Sequence, residues 1–292
     1  MHAEELHTDA ALVRRLLVGQ FPHWADLPIE RVLSSGTDNA LYRLGDDMVV
    51  RLPRIHWAAG GVEKELHWIP KLAPLLPVAL PVPLARGEPS DSYPWTWGVY
   101  AWLEGQNPSV DGIVNAESFT SDAANLVNAL RRVDLPGGPP ARRGRPLREV
   151  QDERARAALV ELQGTIDVDA ATAAWEEALR ASAWSGPPAW IHGDLLPGNV
   201  LVARGRLTGV IDWATVGVGD PACDLIVAWC VIPRELRPSF RTAVGVDDAT
   251  WARGRGWALS LGLIALPYYK ETNPAFAAIA RHLICEVLAD GA

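Results

Sequence analysis

The sequence predicts an α+β protein of two lobes, with a small mixed β/α lobe at the amino terminus and a larger, mainly helical lobe after it. Short apolar runs between glycine and aspartate turns before Gly105 are typical of strands, and the apolar spacing after Gly105 is typical of helices. A length of 292 residues is sufficient for two lobes. The expected boundaries are residues 1–98, a connecting segment at 99–105, and residues 106–292.

The amino-terminal lobe is predicted to contain two helices among its strands. The first helix is expected over residues 8–20, where alanine and leucine recur at helical spacing, and the second over residues 62–72. Proline-rich connections follow the second helix. The predicted strands are residues 30–33, 41–44, 48–52 and 97–103.

The carboxy-terminal lobe is predicted to be mainly helical. Between its two clearest helices lies the loop PGGPPARRGRP, whose proline and glycine are expected to exclude regular structure. A hairpin is predicted over residues 200–203 and 207–211, joined through Arg204 and Gly205. The predicted helices are residues 116–132, 150–162, 223–232 and 250–266.

The segment WIHGDLLPGNVLVARGRLTGVIDW, residues 190–213, carries the strongest chemical signal. It contains His192, Asp194 and Asn199 in an H-x-D-x-x-x-x-N pattern, and Asp212 at the end of a short apolar run. Phosphoryl transfer needs a carboxylate beside the attacking hydroxyl and oxygen ligands for magnesium. Asp194 suits the first task, and Asn199 with Asp212 suits the second. Each alone could be an ordinary loop residue, but the joint spacing favours catalysis.

The segments HGDLLPGNVLV, GVIDW and GDPACDL resemble the aminoglycoside phosphotransferase family, and the resemblance extends over about residues 34–224. That family shares the protein-kinase-like fold and includes enzymes that phosphorylate antibiotics and small metabolites. The resemblance implies that Asp194 is the catalytic aspartate and that Asn199 and Asp212 bind Mg²⁺. It also implies that Asp224 stabilises the catalytic loop from the start of a helix. His192 is expected to brace that loop by hydrogen bonding.

The third strand differs from the kinase pattern at one position. Kinases hold the nucleotide phosphates with a lysine on this strand, paired to a glutamate on the next helix. The strand MVVRLP has Arg51 there, and the helix offers Glu65, with Glu63 as the alternative. Since arginine keeps the charge and binds phosphate through a planar fork, Arg51 is predicted to position the phosphates. An exposed arginine without this role, or Arg43 or Arg54 in its place, are the other interpretations.

Two further segments are expected to contact the nucleotide, which would be ATP or GTP. In the loop SSGTDN, residues 34–39, backbone amides around Ser35 and Gly36 could donate to phosphate, although an ordinary turn would have a similar composition. The segment WGVYAWLEG, residues 97–105, resembles the hinge between the lobes of the family. A base would bond there to backbone groups near Tyr100 and Trp102, whose side chains could equally be packing residues.

The acceptor is expected to be a small molecule, because Asp212 and Asp220 are only eight positions apart and leave no room for a long activation segment. Aromatic faces and carboxylates suit a polycationic ligand, although an aromatic residue in an apolar helix more often packs in the core. The arginines of residues 142–148 could serve an anionic ligand, a mobile lid or simply a solvated loop. The candidate pocket residues are Asp220, Trp229, Tyr268, Tyr269 and Glu271.

Composition excludes several classes of function. The net charge of −8 argues against a nucleic-acid partner and would attract cationic small molecules. The longest apolar stretch, residues 257–269, is too short to span a bilayer, and the polar amino terminus is unlike a secretory signal. Three scattered cysteines do not form a disulfide framework. We therefore expect a cytoplasmic protein without a membrane partner, and a monomer is favoured.

The sequence thus predicts a magnesium-dependent enzyme that moves the γ-phosphoryl group of ATP or GTP to a hydroxyl of a small molecule. A cationic antibiotic is the first expectation for the acceptor, either an aminoglycoside or a viomycin- or capreomycin-type peptide, which would connect the chain with antibiotic resistance. A macrolide is a lesser one. The alternatives are a metabolic kinase acting on an amino alcohol, a sugar or homoserine, and a nucleotide-binding protein without catalysis.

Overall fold

The computed structural model of the chain describes residues 5–33, 36, 38–108 and 113–290. The chain divides into two compact units. The first unit is Met1–Gly105 with Gly209–Ala214, and the second is Gln106–Thr208 with Thr215–Ala292. Asp212 therefore belongs to the first unit, although the chain before Gly209 and after Ala214 belongs to the second.

The first unit is built on a five-stranded antiparallel sheet in the order β1-β2-β3-β5-β4. Strand β4 was not predicted, because its prolines suggested a connection. It is an edge strand with Pro83 at its first position, where the missing N–H costs no hydrogen bond of a central ladder. The strands are β1 (Ile29–Val32), β2 (Asn39–Leu44), β3 (Met48–Pro53), β4 (Pro83–Gly87) and β5 (Trp97–Ala101).

Helix α1 (Ala10–Gln20) provides one side of the core of the first unit. The carboxylate of Asp9 caps it by accepting from the Leu12 N–H at 2.7 Å. Its leucines and Val13 are buried together with the apolar residues of β2, β3 and β5. Every second residue of β2 is buried, because alternate side chains of a strand point to the same face of the sheet. The buried ones, Ala40, Tyr42 and Leu44, belong to the same core as the residues of α1.

Helix α2 (His56–Leu72) begins earlier than the predicted residue 62. It extends through Gly60 and Gly61, two residues that disfavour a helix. The second of them has a packing reason: a Cβ on Gly61 would lie 2.7 Å from the Cβ of Ala214. Glycine at this position lets α2 approach the segment that carries Asp212.

The second unit is mainly helical, as predicted. The long helix α9 is largely buried and packs against α5, α6 and α10. No helix among the described residues is sufficiently long and apolar to cross a membrane. The helices are α3 (Ala116–Arg132), α4 (Leu147–Val150), α5 (Asp152–Glu161), α6 (Val168–Arg180), α7 (Val227–Cys230), α8 (Arg237–Val244), α9 (Asp248–Tyr269) and α10 (Pro274–Ala289).

The helix predicted over residues 223–232 is a different element. It is a 3₁₀ turn, Pro221–Ile226, followed by the short α7. The turn begins earlier than predicted because Pro221 occupies its first position and Asp220 caps it, accepting from the Ala222 N–H at 3.0 Å.

Four further short strands form two pairs. Strand β6 (Ala189–Ile191) pairs antiparallel with β9 (Gly217–Gly219). Strands β7 (Val200–Ala203) and β8 (Arg206–Val210) form the predicted hairpin. Arg204 and Gly205 have φ values of 52° and 74°, so both residues of the turn have the positive φ that a type I′ connection requires.

The proline- and glycine-rich loop before α4 is more regular than predicted. It contains a 3₁₀ turn, Arg142–Gly144, and pairs with β9. The Val218 N–H donates to the Pro139 carbonyl at 2.8 Å, and the Ala141 N–H donates to the Val218 carbonyl at 3.0 Å. The expectation that its composition excludes regular structure is wrong, because these main-chain bonds do not depend on side-chain type.

The two neighbouring glycines of α2 give a matched test of this packing. We expect Gly60→Ala to stabilise the protein by about 0.5–1 kcal/mol, since a Cβ there meets nothing within 4 Å and alanine favours helix. We expect Gly61→Ala to destabilise it by about 1 kcal/mol, because the overlap with Ala214 outweighs the helix propensity. Urea unfolding of both variants measures the difference; equal effects would contradict the close approach.

Candidate active site

The loop after β6 brings together Asp194 and Asn199 of the H-x-D-x-x-x-x-N pattern. The Asn199 Nδ2 donates to the Asp194 carbonyl at 2.8 Å and to its carboxylate Oδ2 at 3.0 Å. Tight turns hold the loop: the Leu196 N–H donates to the Asp194 carbonyl, and the Asn199 N–H to the Leu196 carbonyl. Both side-chain bonds of Asn199 are donated by its amide nitrogen, so the amide oxygen of Asn199 is not bonded to Asp194.

The start of this loop is held by Asp224. Its buried carboxylate accepts from the His192 N–H at 2.8 Å and from the Gly193 N–H at 2.7 Å. Burial raises the pKa of Asp224 to about 6, while the two backbone donors act in the opposite direction. At neutral pH the carboxylate is therefore ionised and can accept both bonds. Gly193 has a φ of 82°, a conformation that glycine adopts without strain.

His192 lies within the loop as a fully buried residue. Its Nδ1 accepts from the Asp194 N–H at 3.1 Å, and its carbonyl accepts from the Thr215 Oγ1 at 2.7 Å. Thr215 was not identified from the sequence, because a single threonine after the GVIDW segment carries no distinctive spacing.

Arg143 contacts the carboxylate of Asp194, which no motif predicted. Its Nη1 is ion-paired with Asp194 Oδ1 and donates to the Gly193 carbonyl at 2.8 Å. The sequence showed a cluster of arginines in this region, but composition did not indicate which of them reaches Asp194. The contact joins residues 51 positions apart in the chain.

In the first unit, Arg51 of β3 is buried and bonds to three side chains. Its Nη1 is ion-paired with Glu65 of α2, and its Nη2 donates to Asp212 Oδ1 at 2.6 Å. With the Asn39 amide oriented so that both of its polar atoms are satisfied, the amide oxygen accepts from Nη2 at 2.8 Å and from Nε at 3.3 Å. The planar fork thus serves several acceptors at once.

Glu65 is fully buried and has two further donors. The Tyr100 hydroxyl donates to Oε2 at 3.1 Å, and the Trp213 N–H donates to Oε1 at 2.8 Å. Burial raises the pKa of Glu65, while Arg51 acts in the opposite direction. Burial also opposes the charge on Arg51, but the carboxylates of Asp212 and Glu65 outweigh it, and the pKa of Arg51 is raised. The guanidinium is therefore permanently charged.

Asp212 has a φ of 60°, the left-handed conformation that is uncommon for a residue with a side chain. Such a conformation costs about 1–3 kcal/mol and is concentrated at functional sites. Its side chain is 39% exposed, so part of it is accessible to a ligand. The next residue, Trp213, is fully buried and holds the segment in place.

The model of the APH phosphotransferase enzyme family matches residues 30–257. The chain belongs to this family.

Solved structures of other phosphotransferases have the same fold as this chain. The GDP and kanamycin complex of APH(2")-IIia has a TM-score of 0.77 and 20% identity, covering 96% of this chain and 99% of that chain. The macrolide 2'-phosphotransferase MphH from Brachybacterium faecium has a TM-score of 0.60 and 24% identity, covering 94% and 98% respectively. The predicted protein-kinase-like fold is confirmed.

A sequence relative of this phosphotransferase family member is the uncharacterized protein YcbJ from Bacillus subtilis (strain 168). It is 26% identical over 190 residues, which are 62% of this chain. The match spans 57% of the length of the relative.

Of the two segments predicted to contact the nucleotide, residues 34–39 lie partly outside the described residues, and residues 97–105 are described in full. Ser35 lies outside the described residues, and Gly36 is exposed. In the hinge, the Trp102 N–H donates to the Asp47 carbonyl at 2.8 Å, and the Ala101 N–H to the Val82 carbonyl at 2.9 Å. A base that bonds to this segment would therefore have to use other backbone groups than these two amides.

Two of the predicted acceptor residues have structural partners instead. Asp220 is buried and accepts from Arg253 Nε at 2.7 Å. Trp229 is fully buried, and its Nε1 donates to Asp290. Both side chains therefore pack inside the second unit, and their contact with an acceptor stays a prediction.

The other predicted acceptor residues are Tyr268, Tyr269 and Glu271, at and beyond the end of α9. Tyr268 and Glu271 are exposed, and Tyr269 is half-buried. Their contact with an acceptor stays a prediction.

Asn199 of the second unit and Asp212 of the first unit, the predicted metal ligands, each carry an oxygen of the kind that magnesium accepts. Among the described residues, no group of three histidine, cysteine or acidic side chains could hold a metal ion by itself. Magnesium is commonly bound by one or two carboxylates together with the phosphates of a nucleotide. One carboxylate and one amide oxygen therefore suit a metal that arrives with its nucleotide.

The two glutamates of α2 test the buried network of the first unit. We expect Glu65→Ala to destabilise the protein by about 3–5 kcal/mol, because it removes the fully buried one of the two carboxylates that pair with the buried Arg51 charge. Glu63 is exposed and ion-paired with Arg86, so we expect Glu63→Ala to cost at most about 1 kcal/mol. Chemical denaturation of both variants is the measurement, and a small loss for Glu65→Ala would contradict the role of the pair.

Proposed function

We propose that this chain moves the γ-phosphoryl group of ATP or GTP to a hydroxyl of a small molecule. The observation that carries the proposal is the carboxylate of Asp194, held by Asn199 in a loop that Asp224 fixes in turn. Catalysis of phosphoryl transfer depends chiefly on positioning and electrostatic stabilisation. A fixed carboxylate at the family's catalytic position supports this chemistry.

In the proposed reaction, Asp194 accepts a hydrogen bond from the acceptor hydroxyl and takes its proton as transfer proceeds. The hydroxyl oxygen forms a bond to the γ-phosphorus. The bond from the γ-phosphorus to the oxygen that bridges it to the β-phosphorus breaks, and the nucleoside diphosphate leaves with that electron pair. His192 has a different task, because its Nδ1 accepts a backbone N–H and the ring is buried.

Arg51 is the proposed ligand of the nucleotide phosphates, braced by Glu65. Backbone amides around Ser35 and Gly36 are proposed to assist it, and the hinge near Tyr100 and Trp102 to contact the base. Related solved structures contain GDP, ADP or ATP, which supports both nucleotides as candidates.

Magnesium is the proposed metal, with oxygen ligands from Asn199 and Asp212. When it is bound, it neutralises part of the phosphate charge. Asp212 would hold the metal through its carboxylate, and Arg51, whose Nη2 donates to that carboxylate at 2.6 Å, would donate to phosphate.

The acceptor that we propose first is a cationic antibiotic. The net charge of −8 supports it, as do related structures with kanamycin and gentamicin. A macrolide is a further candidate in the same class, since MphH is a macrolide 2'-phosphotransferase.

A metabolic acceptor is the second candidate, and the arginine beside Asp194, with two further arginines near it, favours it. Arg143 is ion-paired with Asp194. Arg154 lies sufficiently close to Arg142 and Arg143 that they lower its pKa, after the larger effect of burial. Positive charge near the catalytic carboxylate suits an anionic or neutral acceptor better than a polycation.

A panel of acceptors separates these candidates. The purified protein is incubated with magnesium and either ATP or GTP, together with aminoglycosides, viomycin, capreomycin, macrolides, amino alcohols, sugars and homoserine. We expect one class to gain a phosphoryl group, detected by mass spectrometry. An antibiotic product, with protection of a susceptible host, supports the first candidate. A metabolite product without protection supports the second. Nucleotide binding without turnover of any acceptor would favour the non-catalytic alternative.

Replacement of the proposed base tests the mechanism. We expect Asp194→Ala to lower kcat by about 10²–10⁴-fold, because the acceptor hydroxyl loses its hydrogen-bond partner. Nucleotide affinity should stay close to that of the wild type. Asp169→Ala is the control, since this exposed aspartate lies in the first turn of α6. Steady-state kinetics and nucleotide titration are the measurements, and near-normal turnover of Asp194→Ala would overturn the mechanism.

A further inference from the structure

We infer that Arg143 is a positioning residue that holds the catalytic carboxylate of Asp194 in place. The inference rests on the proposed function, since Asp194 is the proposed base. It extends that function by one residue outside the family motifs, contributed by the loop before α4. This loop, residues 139–145, is called the arginine loop below.

The two oxygens of the Asp194 carboxylate are held from different parts of the chain. Oδ1 is ion-paired with Arg143 Nη1, and Oδ2 accepts from Asn199 Nδ2 at 3.0 Å. The same Nη1 donates to the Gly193 carbonyl at 2.8 Å, which fixes the guanidinium relative to the catalytic loop. Rotation of the carboxylate would break at least one charge-assisted bond, so the pair restricts it to one orientation.

The arginine loop is itself fixed in the second unit. The arginine loop makes two main-chain bonds with Val218. In addition, its Gly144 carbonyl accepts from the Asp220 N–H at 2.9 Å. A Cβ on Gly219 would lie 2.5 Å from the Gly144 Cα, so two glycine backbones are in close contact here. Arg143 therefore extends from an anchored backbone, so its pairing with Asp194 costs only the conformational entropy of its side chain. This argues against a mobile lid.

Charge also favours this role. A base that faces the phosphates of a nucleotide is a negative group near other negative groups, and their repulsion would displace it. The Arg143 side chain is 26% exposed and that of Asp194 is 19% exposed, so the pair is less screened than a surface ion pair. Arg145 of the same loop differs: it is 57% exposed and pairs with Glu149 of its own segment.

The kinetic test uses the full-length chain with water as the acceptor, so that it does not depend on the identity of the natural acceptor. The variants are Arg143→Ala, Arg143→Lys and the control Arg145→Ala. Magnesium-dependent release of inorganic phosphate is measured with ATP and with GTP. Here a water oxygen bonds to the γ-phosphorus, its proton goes to Asp194, and the nucleoside diphosphate leaves.

We expect Arg143→Ala to lower kcat by about 10- to 100-fold with little change in the KM for nucleotide, since misplacement of a catalytic group by about 1 Å has effects of this size. Arg143→Lys keeps the charge and should restore part of the loss, while Arg145→Ala should behave as the wild type. An unchanged kcat for Arg143→Ala would overturn the inference. A loss of kcat that Arg143→Lys does not relieve, together with a lowered melting temperature, would also overturn the inference. A residue that is needed only for folding would give that result.

Crystal structures of the same variants supply a readout that does not need turnover. We expect the Asp194 carboxylate of Arg143→Ala to leave the position where Asn199 Nδ2 bonds to it, and to stay there in Arg145→Ala. If Asp194 stays in place without Arg143, the inference is wrong even for an active enzyme. If the wild type releases no phosphate and modifies no acceptor while Asp194 moves in Arg143→Ala, the proposed function fails and the positioning role stands.

Discussion

The buried carboxylate of Glu65 is the constraint on which the first unit depends. It accepts hydrogen bonds from Arg51 of β3, Tyr100 of β5 and the backbone N–H of Trp213, and it is fully shielded from solvent. A charge buried in this way is stable only while its partners stay in place. The strand, the helix and the returning segment Gly209–Ala214 are therefore held in one arrangement, and Asp212 is held with them.

Arginine in place of the usual kinase lysine changes what this network can do. A lysine has one nitrogen, whereas the Arg51 fork reaches Glu65 and Asp212 with different nitrogens. Arg51 thus acts as the counter-ion of a proposed metal ligand as well as a proposed phosphate ligand. The pair with Glu65 anchors the guanidinium, so Arg51 would hold the phosphates from a fixed position.

The second unit uses the same principle with a different set of groups. Asp224 holds the backbone of the catalytic loop, and Asn199 and Arg143 hold the carboxylate of Asp194. The proposed base is therefore fixed through its main chain and its side chain. Pre-organisation of this kind is what phosphoryl transfer requires, because the protein contributes position and charge rather than covalent chemistry.

The parts of the site that could be predicted from the sequence are those set by local spacing. The contact of Asp194 with Asn199 lies within one loop, and that of Arg51 with Glu65 joins a strand to the helix that follows it. Arg143 could not be predicted, since its contact depends on how a distant loop packs.

Burial could not be predicted from the sequence either. The sequence suggested Trp229 for a ligand, but tertiary packing places it in the core. Edge strand β4 was missed because its prolines suggested a connection. Helices α6, α8 and α10 were not among the predicted helices either, although apolar residues recur at helical spacing in α6 and α8.

The assignment of Asp194 as the base is tested most directly by a transfer assay with γ-labelled nucleotide. Wild type and Asp194→Asn are compared at equal nucleotide saturation. Asparagine keeps the size of the side chain and removes its charge and basicity. We expect label to pass to an acceptor hydroxyl, or to water, in the wild type, and we expect the variant to bind nucleotide but to transfer almost none. Equal transfer by both proteins would contradict the assignment of Asp194 as the base.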